Sequence, residues 1–240
     1  MSLTVVLAQG GGFVRDRAGE SSCVADNGLC PSWIADNLDR YWDPLLEHIV
    51  LVVVSVGLGF TIALALGLIA HRQRWLVAPL TGVTSAIYTI PSPAMFLLLL
   101  PLTGRGNLTA IIALTAYTQV IIFRNVVNGL AGVPPDIVDA AAGTGMTANQ
   151  RLFGVEMPLA LPEILAGLRI AAATTVGLAA LAFLAGAGGL GNQLSTANEI
   201  AFKSNVVVAG GLVTLLAAAL DLLVLGLQRR LTPWQRAVAA

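Results

Sequence analysis

Residues Ile49–Ala70 read IVLVVVSVGLGFTIALALGLIA, 22 consecutive positions without one charged side chain. About 20 apolar residues in a helix are enough to cross the ~30 Å hydrocarbon core of a bilayer. A soluble helix of that length carries a polar stripe at the helical period. This run has none, so it is read as a membrane span. The whole chain agrees: of 240 residues 56% are hydrophobic and 11% charged, against about 25% charged in soluble domains, and the mean hydropathy is +0.81. Thirteen basic and thirteen acidic residues give no net charge, which leaves no basic surface for nucleic acid.

Working outward, four more segments are long and apolar enough to cross. Trp75–Leu102 is uncharged but interrupted by Ile90-Pro91-Ser92-Pro93, where prolines remove backbone donors and kink or unwind a helix. Such a break is tolerated at membrane depth only against protein or a water-lined path. Leu108–Phe123 is shorter and extends if Arg124 snorkels to the headgroups. The fourth span is placed within Ile170–Gly186 and the fifth at Val206–Gln228, with Asp221 in its last turns. The expected fold is an all-α integral membrane protein with five transmembrane helices.

Basic residues stay preferentially in the cytoplasm. Arg72, Arg74, Arg124, Arg151, Arg169, Arg229, Arg230 and Arg236 flank one set of span ends, and Arg15, Arg17, Arg40, Arg105 and Lys203 the other. This eight-to-five bias puts the N-terminus outside and the C-terminus in the cytoplasm. The expected organisation is an extracytoplasmic tail at 1–43, a transmembrane domain at 44–230 and a cytoplasmic tail at 231–240. The tail lacks a convincing signal peptide, since Leu3–Ala8 is too short for its apolar core. Cys23 and Cys30, the only cysteines, fall in it. Outside the cell they form either a small disulfide, the favoured reading, or two free thiols; a metal site needs more ligands than the tail offers.

The segment between the third and fourth spans, about 131–162, is too long for a plain connection. Val133-Pro134-Pro135-Asp136 stops one helix and starts another, with an acid near its N-terminus. Short helices are expected from Ile137 to Phe153, broken at Gly143-Thr144-Gly145, with Ile137, Val138, Ala141 and Ala142 on one apolar face. Met157-Pro158-Leu159-Ala160-Leu161-Pro162 returns the chain to the membrane.

Here the chain resembles a known family. Asp139-Ala140-Ala141, three residues, Gly145, nine residues, then Val155-Glu156-Met157-Pro158 is similar to the EAA motif of the membrane subunits of binding-protein-dependent ABC importers, E-A-A, x3, G, x9, I-x-L-P. The departures, Asp for Glu, Val for Ile and Met for Leu, keep charge sign or apolar character. Thr89–Phe96, Ala141–Gly167 and Gly186-Ala187-Gly188-Gly189-Leu190-Gly191 further resemble permeases for osmoprotectants such as glycine betaine, choline and carnitine. The resemblance implies a type I importer permease working with a second permease, itself or a paralogue. It implies that Asp139, Ala140, Ala141, Gly145 and Pro158 belong to a coupling loop docked on a separate ATPase, and that an external binding protein delivers the solute. The other reading of the loop is an amphipathic helix on the membrane surface, but its polar face is poor in lysine and arginine.

No cofactor is expected in this chain. G-x-x-x-x-G-K-[S/T] does not occur, and the one lysine, Lys203, has no glycine loop before it; ATP and magnesium belong to the partner ATPase. Gly186–Gly191 fits G-x-G-x-x-G, but without the strand before it or the acid about 20 residues on. It is read as the glycine-rich outer end of the fourth span. His48 and His71 lie at opposite ends of the first span, cannot share a metal, and are read as interfacial. Tyr88, Tyr117, Phe96 and Phe123 offer aromatic faces for a quaternary ammonium ion, or simply pack. A translocation path is assigned to Tyr88, Pro91, Ser92 and Pro93 at the break, with a lining expected to be polar and uncharged. The rivals are a permease for methionine or another small solute, a secondary transporter with Asp221 as its acid, and a non-transporting scaffold.

Overall fold

A computed structural model describes Cys23 and residues 28–234. Arg15, Arg17 and Arg236 of the charge comparison lie outside the described residues. Helices α1 (Pro31–Asp36), α2 (Trp42–Arg72), α3 (Val77–Thr89), α4 (Ser92–Thr103), α5 (Asn107–Ala131), α6 (Pro135–Gly143), α7 (Ala148–Arg151), α8 (Met157–Ala179), α9 (Leu190–Glu199) and α10 (Lys203–Leu231) follow in order. Among the described residues there is no strand.

Four continuous helices are long and apolar enough to cross a membrane: Leu38–Arg72, which includes α2, Asn107–Ala131, Ala148–Ala179 and Lys203–Leu231. The pair Arg74–Thr89 and Ser92–Thr103 meets the same test of length and apolarity only when taken together, and is bent by 98° at its junction, the shape of a broken span or a re-entrant loop. The bend falls at Ile90, where ψ swings to 126° and Pro91 caps α4. Proline forces its predecessor out of the helical region, so the Pro91 signal in the sequence becomes a corner and not a kink.

The centre of the bundle is α5, which packs on α2 and α8, with α3 and α4 against its remaining face and α10 outside α8. The α2–α5 seam is close because small residues recur at four-residue spacing, Gly59, Ala63 and Gly67. A methyl on Gly59 would lie 1.9 Å from Thr118 Oγ1, and one on Gly67 2.4 Å from Val126 Cγ1. Two apolar layers fill the core. Leu51, Val52, Phe96, Leu114 and Val176 form one, and Ile122, Phe123, Val126, Leu130 and Ile164 the other.

The fourth span differs from the sequence expectation. It begins at Met157, not Ile170, and carries Arg169 inside it. That arginine is neutralised by a two-pronged contact with Asp221 of α10, Nε to Oδ1 at 2.9 Å and Nη2 to Oδ2 at 2.8 Å. An arginine taken alone reads as a span boundary; a paired one does not. The third span, expected to extend past Arg124, does so: it runs on to Ala131, seven residues further, so Arg124 lies inside the helix.

The tail before α2 docks on the start of α10. Cys23 and Cys30 are joined in a disulfide. The Cys30 amide donates to Ser204 Oγ at 2.7 Å, Tyr41 Oη donates to Asn205 Oδ1, and Trp33 meets Phe202 edge to face at 4.7 Å. At the same end, Gly186–Gly191 turns the chain from α8 into α9. Gly189, at φ +102°, donates its amide to Glu47 Oε2 at 2.9 Å, and Gly188 donates to Asn107 Oδ1 at 3.3 Å. A methyl at Gly191 would lie 2.1 Å from the Ala180 carbonyl oxygen. The glycines serve close packing, and side chains of this protein occupy the amides a phosphate would need. His48, read as interfacial, is fully buried, with Nε2 3.0 Å from the Val176 carbonyl. Val176 of α8 and Gly189 of the following turn lie against it.

Candidate functional site: the capped loop and the broken span

The loop between α5 and α8 is rigid by construction. Pro134 caps α6 and Pro135 takes its first turn, where the missing N–H costs nothing. Beyond Gly143, the Met146 amide donates to the Ala141 carbonyl at 3.4 Å and the Gly145 amide to Ala142 at 3.0 Å. With Gly145 at φ +86°, this pair of bonds is a Schellman cap, which wants glycine at that position. One residue later Thr147 and Gln150 cap α7 reciprocally: the Gln150 amide donates to Thr147 Oγ1 at 3.4 Å and the Thr147 amide to Gln150 Oε1 at 2.8 Å. A single π turn, Leu152–Glu156, then feeds straight into α8.

Asp139 and Ala140 are exposed on α6, Ala141 is buried, Gly145 is open on its outer side, and Pro158 is half-buried in the first turn of α8. The apolar face expected of α6 is divided. Val138 and Ala141 turn inward, while Ile137 and Ala142 turn out, because nine residues make only two and a half turns and one side must meet the bundle. Ile137, Met146 and Phe153 are 41%, 41% and 58% exposed, three large apolar side chains left uncovered on a polar loop.

Two side-chain bridges tie this loop to the end of α2. Glu156, 6% exposed, lies 2.6 Å from His71 Nε2 through Oε2 and accepts from Arg151 Nε at 3.3 Å through Oε1. Arg72 Nη2 donates to Asn149 Oδ1 at 2.6 Å. A cavity of about 1030 Å³ lies behind them, between Arg72, Arg74, Asp139 and Arg151. His71 is thus not a bare interfacial histidine. Sequence reasoning missed the pairing, since 85 residues separate the partners; the one available signal was an acid between the apolar Val155 and Met157.

At the broken span, Pro91, Pro93 and Tyr88 are exposed and Ser92 is half-buried. The Ile90 carbonyl, freed by the corner, accepts a 2.5 Å hydrogen bond from Tyr117 Oη. Tyr117 in turn meets Tyr88 edge to face at 5.9 Å. Phe96 and Phe123 are wholly buried and present no face to a solute in this structure. Beneath the corner, Tyr88, Thr89 and Arg124 line a cavity of about 360 Å³. This cavity carries one charged side chain, because α5 continues past Arg124 and presents it to Ser85 of α3; Pro91, Ser92 and Pro93 do not line it.

Helical spans, with one apolar pair turned at a corner, and a capped loop with exposed apolar side chains define a polytopic helical membrane protein. Residues 48–237 match the binding-protein-dependent transport system inner membrane component family, and the chain belongs to it. It is 39% identical to the osmoprotectant import permease protein OsmW of Salmonella typhimurium, over 84% of this chain and 96% of that one. It is 34% identical to the choline transport system permease protein OpuBB of Bacillus subtilis, over 78% and 86%. Among solved structures, the MetNI methionine ABC transporter in an inward-facing conformation matches with a TM-score of 0.73 at 24% identity, over 79% of this chain and 95% of that one. That likeness concerns the fold.

Proposed function

We propose that this chain is the permease subunit of an ATP-driven importer for osmoprotectants of the glycine betaine, choline and carnitine type. The observation that carries the reading is the 39% identity to an osmoprotectant import permease across 96% of its length. A glycine betaine/carnitine/choline transport system permease protein of Bacillus subtilis, OpuCB, is 32% identical over 78% of this chain. The methionine reading has only a distant likeness of fold behind it. A secondary transporter would use Asp221 as a free acid, and Asp221 is paired with Arg169.

In this reading the chain is a multi-pass protein of the bacterial inner membrane, N-terminus outside, paired with itself or a paralogue. An ATPase binds the α6–α7 loop, and an external binding protein delivers solute. Asp139, Ala140, Ala141 and Gly145 meet the ATPase, with Ile137, Met146 and Phe153 as apolar anchors. ATP and its magnesium are held and hydrolysed by that partner; this chain supplies the lever. Closure of the ATPase moves the loop, which carries α8 with it through Pro158 and α2 with it through Glu156–His71. The spans then tilt about the α2–α5 seam. Tyr88, Pro91, Ser92 and Pro93 line the route at the corner.

The test is ATP hydrolysis by the assembled complex in lipid nanodiscs. Binding protein loaded with glycine betaine raises the rate above that with empty binding protein. Equal rates with betaine, and stimulation by methionine instead, would overturn the solute assignment.

A further inference from the structure

Arg124 lies seven residues inside the end of α5, about 10 Å of helix rise. Its Nη2 donates to Ser85 Oγ at 2.7 Å, and that hydroxyl donates onward to the Thr81 carbonyl at 2.6 Å. Among the described residues no carboxylate lies within ion-pair reach of it. The same chain handles Arg169 differently, closing it with the two oxygens of Asp221. An arginine within a span that lacks an acid and faces a cavity is a functional-site candidate. Most of its five donors remain for a guest.

That guest has a second partner. Ser85 and Tyr88 are three residues apart on α3, hence on one face, with Cβ atoms about 5–6 Å apart. The Tyr88 ring is braced by Tyr117, whose hydroxyl is fixed to the corner at Ile90, and Tyr88 is still 44% exposed. A held guanidinium and a braced aromatic ring therefore flank one cavity of about 360 Å³. The geometry points to a transit site for a compact zwitterion, its carboxylate on Arg124 and its quaternary ammonium on the ring of Tyr88. This rests on the osmoprotectant reading and sharpens it.

The chemistry discriminates. The guanidinium fork takes a carboxylate through charge-assisted hydrogen bonds, and the ring takes an ammonium through its negative face. A betaine or carnitine satisfies both and brings no net charge into the membrane. Choline offers an alcohol where the carboxylate should be, and its cation meets the Arg124 charge without compensation. A simple anion leaves the ring unused.

The experiment compares uptake of labelled glycine betaine and of labelled choline by the complete transporter in proteoliposomes, with binding protein saturated by each solute. Each variant is compared with wild type for the same solute, so the preference of the binding protein cancels. Arg124→Gln lowers betaine uptake about tenfold, the equivalent of one charge-assisted hydrogen bond, and raises choline uptake by relieving the repulsion of its cation. Arg124→Glu inverts the preference towards choline. Loss of both solutes in equal proportion in both variants, or no change in either, would overturn the site while leaving the osmoprotectant reading intact. Wild-type transport of neither solute would overturn that reading, and the site with it.

Discussion

His71 Nε2 stands 2.6 Å from Glu156 Oε2, joining the last turn of α2 to the residue just before α8. Glu156 is buried, whereas His71 and Arg151 are partly open, with side-chain exposures of 23% and 29%. Removing His71 therefore leaves the buried carboxylate with Arg151 alone, at 3.3 Å, whereas removing the carboxylate leaves only partly open partners. His71→Ala should lower stability by about 1–3 kcal/mol, and Glu156→Gln by less. The double variant should be more stable than the sum of the two predicts. Thermal unfolding in detergent checks this, and strictly additive losses would contradict a coupled pair.

Arg169 and Asp221 form the corresponding pair between α8 and α10. Asp221→Ala leaves the Arg169 guanidinium inside α8 without its counter-charge, which disfavours insertion of the span. The amount of protein reaching the membrane should fall for Asp221→Ala and for Arg169→Ala, and recover in the double replacement with Leu. Transport by that double variant, once assembled, should persist. A strict requirement for Asp221 in the presence of Arg169→Leu would instead mark it as a coupling acid.

Gly145 is open on its outer side but held at φ +86°. Gly145→Ala should cost about 1–2 kcal/mol through the left-handed backbone, and Gly145→Asn less. Gly145→Trp adds bulk on the proposed ATPase face, so uptake should fall while the protein still reaches the membrane. Normal uptake with normal ATPase association would remove the loop from coupling.

Ser32 and Ala142 are exposed at opposite ends of the bundle. In intact cells an impermeant thiol reagent should label Ser32→Cys and miss Ala142→Cys. The reverse pattern would invert the orientation.

The spans were legible because runs such as Ile49–Ala70 hold no charge, and their ends were not, because charge was read residue by residue. Arg169 is admitted by an acid 52 residues away, and Arg124 by a serine on another helix; neither partner is visible in a local window. The loop was legible for the opposite reason. Proline at the start of α6 and glycine after it act through their own backbones, so Pro134-Pro135 and Gly145 signal their roles locally. Cys23 and Cys30, seven residues apart, were likewise within reach of simple inspection. The corner at Ile90 was half-legible: proline announces a break, but its angle depends on what α5 offers, here the Tyr117 hydroxyl. The His71–Glu156 bridge left almost no trace.

ATP-driven import is tested most directly by uptake of labelled glycine betaine into proteoliposomes holding the permease, its ATPase and its binding protein. Accumulation is expected only when ATP is supplied on the side of the α6–α7 loop and the binding protein on the other, and Gly145→Trp should abolish it without dispersing the complex. Accumulation driven by a sodium or proton gradient in the absence of ATP would contradict it.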